Sequence, residues 1–379
     1  MLIDNLKDCV KKNYKDIKNP VYVYNKDVII KTCQHFTEIP YKNKSIHFAT
    51  MANCNPDFLQ IIKQAGLDVF VNSQLHLEEV KNVGFTNSQI IFTASSISKE
   101  MMECVYREGI QINLDSLTQL EFWVNKYPDR NIGIRCNIEN KFHRPKTGRA
   151  GSFIGENSRL GLTEDEINSI KTKEQINGLH IYVGTDIIDI DYFTSFYESL
   201  IAISDQFPNL EYLDFGGGFG IDTKNNFDFE LYGKKITEIM NRFSAKRNKS
   251  IKLILEPGRI IGGEAGFFIC KVTDIKFRNG TQYIGVNASS TQFPRPLLYP
   301  NESNHPTYLF DKSGNLKNTK EKDTKINGCS TYSRDFLSHK TSLSEAKIDD
   351  IIVLGNAGSY CSSMYTEFLG FKKPKEIFI

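Results

Sequence analysis

No run of about 18 apolar residues occurs in this 379-residue chain, so a membrane-spanning helix is not expected. Its start, Met1 to Tyr14, is amphipathic and lysine-rich without the apolar core of a signal peptide, which points to the cytoplasm. Charge of one sign is missing too. With 47 basic against 45 acidic side chains the net charge is +2, and no basic block is interleaved with aromatics, so nucleic acid is not an expected partner. The cysteines at 9, 33, 54, 104, 136, 270, 329 and 361 stand singly, without the CxxC spacing of a zinc site or redox pair. They read as reduced thiols, mostly small hydrophobes in apolar runs, and no metal is expected. What remains, 40% hydrophobic and 24% charged residues, is the composition of a soluble globular protein with room for one large domain and a smaller one.

From Ser45 onward, short β-rich runs alternate with helix-length segments. His47-Phe-Ala-Thr, Val69-Phe-Val-Asn, Ile90-Ile-Phe-Thr, Ile112-Asn-Leu-Asp and Gly133-Ile-Arg-Cys are each about one βα unit apart. Between them lie Pro56 to Ala65, Gln74 to Val83, Lys99 to Glu108 and Leu117 to Lys126, several preceded by Ser or Asn and followed by Gly. Leu179-His-Ile-Tyr-Val, Tyr212-Leu-Asp-Phe and Lys252-Leu-Ile-Leu-Glu bring the strands to eight, the number that closes a (β/α)8 barrel. After Arg259 the pattern turns all-β, with runs such as Gly266 to Val272 and Gln282 to Val286, a turn at Asn279-Gly280, and no intervening helices. The expected architecture is α/β: a barrel over 36–262, and a β-domain formed by 263–379 together with 1–35, whose strand Val21-Tyr-Val-Tyr joins it. The polar stretch from about residue 300 to Asn327 reads as an exposed excursion.

Chemistry is expected at the C-terminal ends of the barrel strands. Asp214-Phe-Gly-Gly-Gly-Phe-Gly220 follows a strand, and its bare amides suit an anion such as phosphate, although a glycine turn alone is as often a tight loop. Leu255-Glu-Pro-Gly-Arg-Ile260 adds a carboxylate, a rigid turn and a guanidinium at the next strand end. A local ion pair of Glu256 and Arg259 is the bland alternative, and it leaves the adjoining glycines unexplained.

These two motifs resemble those of the fold type III pyridoxal-phosphate (PLP) decarboxylases, which act on diaminopimelate, ornithine, arginine and carboxynorspermidine. The resemblance runs nearly the whole chain in collinear order. It implies that Gly216, Gly217 and Gly218 hold the PLP phosphate, with Gly258 and Arg259 in the same cradle, and that Glu256 pairs with the pyridine nitrogen so that the ring acts as an electron sink. Ala49-Thr-Met-Ala-Asn53 is similar to the family's Ala-x-Lys-Ala-Asn, Asn157 to Leu162 to its Ser-Lys-Phe-Gly segment, and Leu179 to Thr185 to its His-x-His-x-Gly-Ser segment. His180, Tyr182 and Thr185 are thereby placed at the cofactor, with Tyr182 in the position of the ring-stacking histidine; His180, on a buried strand, reads equally as a satisfied core histidine. Pro294-Arg-Pro-Leu-Leu-Tyr299 resembles the diaminopimelate enzymes' Arg-Pro-x-Leu-Tyr, which gives Arg295 and Tyr299 a distal substrate carboxylate. Tyr360, in Asn356-Ala-Gly-Ser-Tyr360, inherits a place at the phosphate. The tail motif Gly328-Cys-Ser-Thr-Tyr-Ser-Arg-Asp335 implies a homodimer with shared active sites and makes Asp335 a substrate contact in trans, set against an ordinary polar turn residue at even odds.

The departures matter as much. Met51 stands where the family has its Schiff-base lysine, and a thioether is neither base nor nucleophile. Lys42 and Lys44 precede the barrel strand and are expected at its far end. Thr331 and Tyr332 fall where the family has a catalytic cysteine and its neighbouring acid, with Cys329 two residues away on the same face if the segment is extended. Two functional expectations follow. One is a PLP-dependent decarboxylase of an amino acid, or amino-acid conjugate, with a distal carboxylate, in which Met51 is either an engineered trap or a natural divergence; the other changes favour divergence. The other is a catalytically impaired or non-catalytic homologue that binds PLP, an amino-acid ligand or a partner enzyme. A racemase needs the same lysine and fits the tail order less well.

Overall fold

The computed structural model describes residues 10, 18–139, 145, 148, 153–221, 227–303 and 305–379. Apart from Val10, the lysine-rich start Met1 to Tyr14 lies outside them. The chain divides into two compact units, residues 29–261 and residues 1–28 with 262–379.

In the larger unit eight parallel strands close on themselves: Lys44–Ala49, Asp68–Val71, Ile90–Thr93, Gln111–Leu114, Ile132–Asn137, Ile176–His180, Tyr212–Asp214 and Lys252–Leu255, with the last paired to the first. This is the expected barrel. Helices Pro56–Gln64, Gln74–Asn82, Lys99–Arg107 and Leu117–Lys126 each start on a side-chain cap. The Asn55 side chain accepts from Asp57 N and Phe58 N, and the Ser73, Ser98 and Ser116 hydroxyls accept from His76 N, Met101 N and Gln119 N. Each cap satisfies amides that have no partner inside the helix, which contributes about 1 kcal/mol.

The barrel is filled rather than hollow. Tyr212 lays its ring across the interior, and its hydroxyl donates to Asn113 Oδ1 at 2.7 Å. A Cβ at Gly178 would lie 1.7 Å from Tyr212 Cζ, so that position tolerates only glycine while the ring stays in place.

The smaller unit is built on a mostly antiparallel sheet in the order Thr307–Phe310, Ile351–Leu354, Gly266–Arg278, Thr281–Val286, Glu321–Asn327, Phe336–Ser344. Strand Val21–Tyr24 pairs antiparallel with Gly266–Arg278 and parallel with Lys375–Phe378. The hairpin between Gly266–Arg278 and Thr281–Val286 turns on Asn279 and Gly280, both at positive φ (49° and 80°), as a type I′ turn requires. Val10, Val21, Val23, Phe267, Ile269, Phe310, Ile351 and Val353 form a buried cluster in this unit.

Two local expectations are corrected here. The stretch from about residue 300 to Asn327 is not a plain excursion, because it contains two strands, Thr307–Phe310 and Glu321–Asn327. In the second, only Thr324 and Ile326 are buried, and pairing on both sides holds a sequence whose composition reads as loop. The unit also contains a one-turn helix, Arg295–Leu298, with Pro296 in its first turn, where a missing N–H costs nothing.

Candidate active site

Met51 lies in the 3₁₀ turn Thr50–Ala52, directly after strand Lys44–Ala49, at the strand's C-terminal end. Lys44 starts the same strand at the opposite end, and its Nζ donates to Tyr41 O at 3.1 Å. Two residues before Met51, Ala49 N donates to Pro257 O at 3.1 Å, which joins this turn to the Glu256–Arg259 turn. Glu256 N in turn donates to Gly216 O at 2.8 Å. Three strand ends are thus stitched by backbone bonds.

The glycine triplet is required by close approach. A Cβ at Gly217 would lie 2.3 Å from Glu256 O, one at Gly216 would lie 2.4 Å from Ile181 O, and Gly216 and Gly218 have φ of 62° and 101°. Among the described residues the Gly217 and Gly218 amides donate to no acceptor. Arg259 is buried and its Nε donates to Asp186 Oδ1 at 2.5 Å, while among the described residues its Nη1 meets no acceptor. The ion pair that forms is therefore Arg259 with Asp186, not with Glu256.

Glu256 is buried beside His180, whose Nε2 lies 3.2 Å from Glu256 Oε2. Burial pushes the Glu256 carboxyl up to about 7, with Asp214 and Arg135 drawing it back. Burial pushes His180 down to about 4. Among the described residues Glu256 Oε1 and His180 Nδ1 meet no hydrogen-bond partner. One ligand atom from each of His180, Asp214 and Glu256 lies within 4.8 Å of the others.

Tyr182 stands between Arg135, whose guanidinium lies 5.9 Å from the ring centroid, and Phe153, edge-on at 5.4 Å. Thr185 hydrogen-bonds the Tyr182 hydroxyl, and burial raises that phenol to about 12. Gly258 O accepts from Ile261 N at 3.1 Å within the Glu256–Arg259 turn region. In the Asn157 to Leu162 segment, Arg159 Nη1 donates to Ser95 Oγ at 2.9 Å.

The remaining candidates belong to the β-unit. Arg295 is buried, with its guanidinium 5.3 Å from the Tyr299 ring centroid. Tyr360 has a φ of 53°, a strained conformation for an aromatic residue. Asp335 is no polar turn residue at the surface: it is buried, Oδ1 accepts from Ser290 N at 2.6 Å and Ser289 Oγ at 3.2 Å, and Oδ2 from Ser330 N at 3.0 Å and Ser330 Oγ at 2.5 Å. Its carboxylate is spent on holding two loops. Cys329 and Thr331 are exposed in a bend rather than in an extended segment, so the alternation that would put them on one face does not apply. Tyr332 packs edge-on against Phe368 at 5.6 Å.

The motifs did not single out Arg135, Asp186 or a role for Asp214. Arg135 had one visible signal, a charged residue within the apolar run Ile132-Gly-Ile-Arg-Cys.

Comparison with known proteins is consistent across the chain. Residues 26–263 match the family described as "Pyridoxal-dependent decarboxylase, pyridoxal binding domain". The chain is 26% identical over 375 residues to diaminopimelate decarboxylase of Aquifex aeolicus, covering 95% of this chain and 86% of that protein. Its fold is similar to diaminopimelate decarboxylase from Helicobacter pylori complexed with L-lysine (TM-score 0.83, 20% identity, 97% and 93% of the two chains). It is equally similar to the Paramecium bursaria Chlorella virus arginine decarboxylase (TM-score 0.83, 17% identity, 98% and 100%). The (β/α)8 barrel with its separate β-domain, and the family match over the barrel, make this chain a member of the fold type III pyridoxal-dependent decarboxylases, whose cofactor is PLP.

Proposed function

We propose that the chain is a PLP-dependent decarboxylase of an amino acid, or amino-acid conjugate, that carries a distal carboxylate. The observation that carries this reading is the junction of the Gly216–Gly218 and Glu256–Arg259 turns. There, unpartnered donors (Gly217 N, Gly218 N, Arg259 Nη1) and an unpartnered carboxylate oxygen (Glu256 Oε1) stand on neighbouring strand ends. A phosphate needs the first kind of partner and a protonated ring nitrogen needs the second, so the residues present fit PLP.

When bound, PLP supplies the electron sink that lets a carboxylate leave as carbon dioxide. The chain's own residues hold it. Gly216 to Gly218, Gly258, Arg259 and Tyr360 are the proposed phosphate contacts. Glu256 keeps a proton on the ring nitrogen, with His180 donating Nε2–H to its other oxygen. Tyr182, steadied by Arg135 and Phe153, offers a face to the ring, with Thr185 on its hydroxyl. Arg295 and Tyr299 are proposed to take the distal carboxylate, in a homodimer with shared sites to which Cys329, Thr331 and Tyr332 belong. Because the carboxylate of Asp335 is engaged by Ser289, Ser290 and Ser330, the distal group is assigned to Arg295 instead.

Met51 favours a second reading, a homologue that binds PLP or an amino-acid ligand with little or no turnover, because no amine stands at that turn. Absorbance of the purified protein titrated with PLP, followed by assay of carbon dioxide release from diaminopimelate, ornithine and their carboxylated conjugates, tests the two. PLP binding with release supports the enzyme, binding without release supports the second reading in its PLP-binding form, and no PLP binding removes the enzyme and leaves only a homologue that binds an amino-acid ligand or a partner enzyme.

A further inference from the structure

Asp214 lies inside the glycine motif, yet it contacts more than the turn. It is wholly buried at the end of strand Tyr212–Asp214, and its Oδ1 accepts from Gly216 N at 2.9 Å, which ties it to the first glycine of the triplet. Its Oδ2 meets no donor among the described residues. His180 stands opposite it in register on the adjacent strand, Arg135 stands opposite His180 on the next, and ligand atoms of Asp214, His180 and Glu256 all lie within 4.8 Å of one another. Two carboxyl groups therefore face each other in a buried site, each with an oxygen that finds no donor among the described residues while both are ionised. Among the described residues Arg135 supplies a compensating positive charge to Glu256. A proton on one carboxyl turns two facing acceptors into a donor and an acceptor, and removes a second buried negative charge.

Resting on the reading of Glu256 given above, we propose that Asp214 is a positioning residue that carries this proton and donates it to Glu256. In this arrangement the Glu256 carboxylate is fixed toward the ring nitrogen from one side by Asp214 and from the other by His180. Through Gly216 the same Asp214 is tied to the phosphate turn, so the two ends of the cofactor site share one brace. A carboxylate has about four acceptor positions, so these two bonds leave room for the ring N–H.

The proton is assigned to Asp214 because that group is the deeper of the two, fully enclosed where Glu256 keeps 5% exposure. Burial, and then the Glu256 charge, push the Asp214 carboxyl well above its usual range, whereas the bond with Asp214 lowers Glu256. Asp115, Tyr182, Tyr197 and Tyr212 are the other titratable groups around the cluster, with Arg135.

The test uses the full-length protein without added PLP, near about pH 8, where Glu256 has lost its own proton. Infrared difference spectra should show the C=O stretch of a buried protonated carboxyl. That band should move when aspartate is isotope-labelled at its side-chain carboxyl carbon and vanish in Asp214→Asn. A band that moves with labelled glutamate instead, or no band, overturns the proposal. PLP affinity gives the second measurement. Asp214→Asn keeps a donor and should stay within a few-fold of wild type, with the wild-type affinity falling relative to it at alkaline pH. Asp214→Ala should lose about tenfold or more, the size of a charge-assisted hydrogen bond. Equal losses in both variants, with the same pH profile as wild type, overturn the positioning role. If neither the wild type nor Met51→Lys binds PLP, the cofactor reading fails, and the infrared label still decides which carboxyl holds the proton.

Discussion

His180 and Asp214 face each other in register on adjacent barrel strands, and His180 Nε2 reaches Glu256 Oε2 at 3.2 Å. The row continues to Arg135 on the strand before. Parallel strands put paired residues on the same face, so four ionisable groups from four strands gather at the strand ends although about 120 residues separate the first from the last. His180, Asp214 and Glu256 are buried and Arg135 is half-buried, so water screens their charges little and each group influences the protonation of the next.

Met51→Lys should convert reversible PLP binding into a covalent link that borohydride traps. Carbon dioxide release should rise by about 100-fold or more, the factor a positioned acid–base group contributes. Trapping is read by mass spectrometry. A lysine variant that binds PLP but never becomes covalently labelled would mean that the turn at Thr50–Ala52 does not point at the cofactor.

The folded carboxyl of Glu256, at about 7, lies above its usual 4.5. Its protonated form therefore supports the fold without cofactor at low pH, and that support is lost as pH rises through about 7. PLP binding needs the ionised form and runs the other way. Affinity should fall about tenfold per pH unit below 7 in wild type and by less in Glu256→Gln, measured by fluorescence titration across pH.

Gly217→Ala should weaken PLP binding by about tenfold or more and lower stability by about 1–3 kcal/mol, because its Cβ would sit 2.3 Å from Glu256 O and the two turns must separate. Calorimetry and PLP titration on the same sample separate the two effects. Unchanged affinity in a folded variant would remove the triplet from the cofactor site.

His47 is fully buried at the opposite end of the barrel, and burial, aided by Lys252, holds its imidazole down at about 3. The unfolded chain takes up a proton near 6.5 that the fold refuses. The contribution is thus complete above pH 6.5 and lost as pH falls toward 3, several kcal/mol at about 1.4 per unit. Urea unfolding at neutral and acid pH should show a steeper loss for wild type than for His47→Gln.

Strand rhythm and helix caps carried most of the fold in the sequence. Asn55, Ser73, Ser98 and Ser116 cap the helices that follow them, and apolar runs such as Ile90-Ile-Phe-Thr are the strands between. Such signals are local, so a single sequence displays them. Residues 321–327 were illegible for the opposite reason: Glu-Lys-Asp-Thr-Lys-Ile-Asn has no strand composition, and only the neighbours on both sides make it one.

The site divides along the same line. Gly216–Gly218, Glu256 and Arg259 are visible as motifs because each is contiguous and chemically unusual. Whom they meet is not. That Arg259 pairs with Asp186 rather than Glu256, that Asp335 is engaged by a distant loop, and that Asp214 faces Glu256 depend on segments about 40 to 75 residues apart being brought side by side. Adjacent residues alone carry the succession of barrel strands and helices, the family and the absence of an amine at position 51. Register and closure of the barrel decided which charges share a buried space. Coulombic coupling acts through distance in space, and distance along the chain does not encode it.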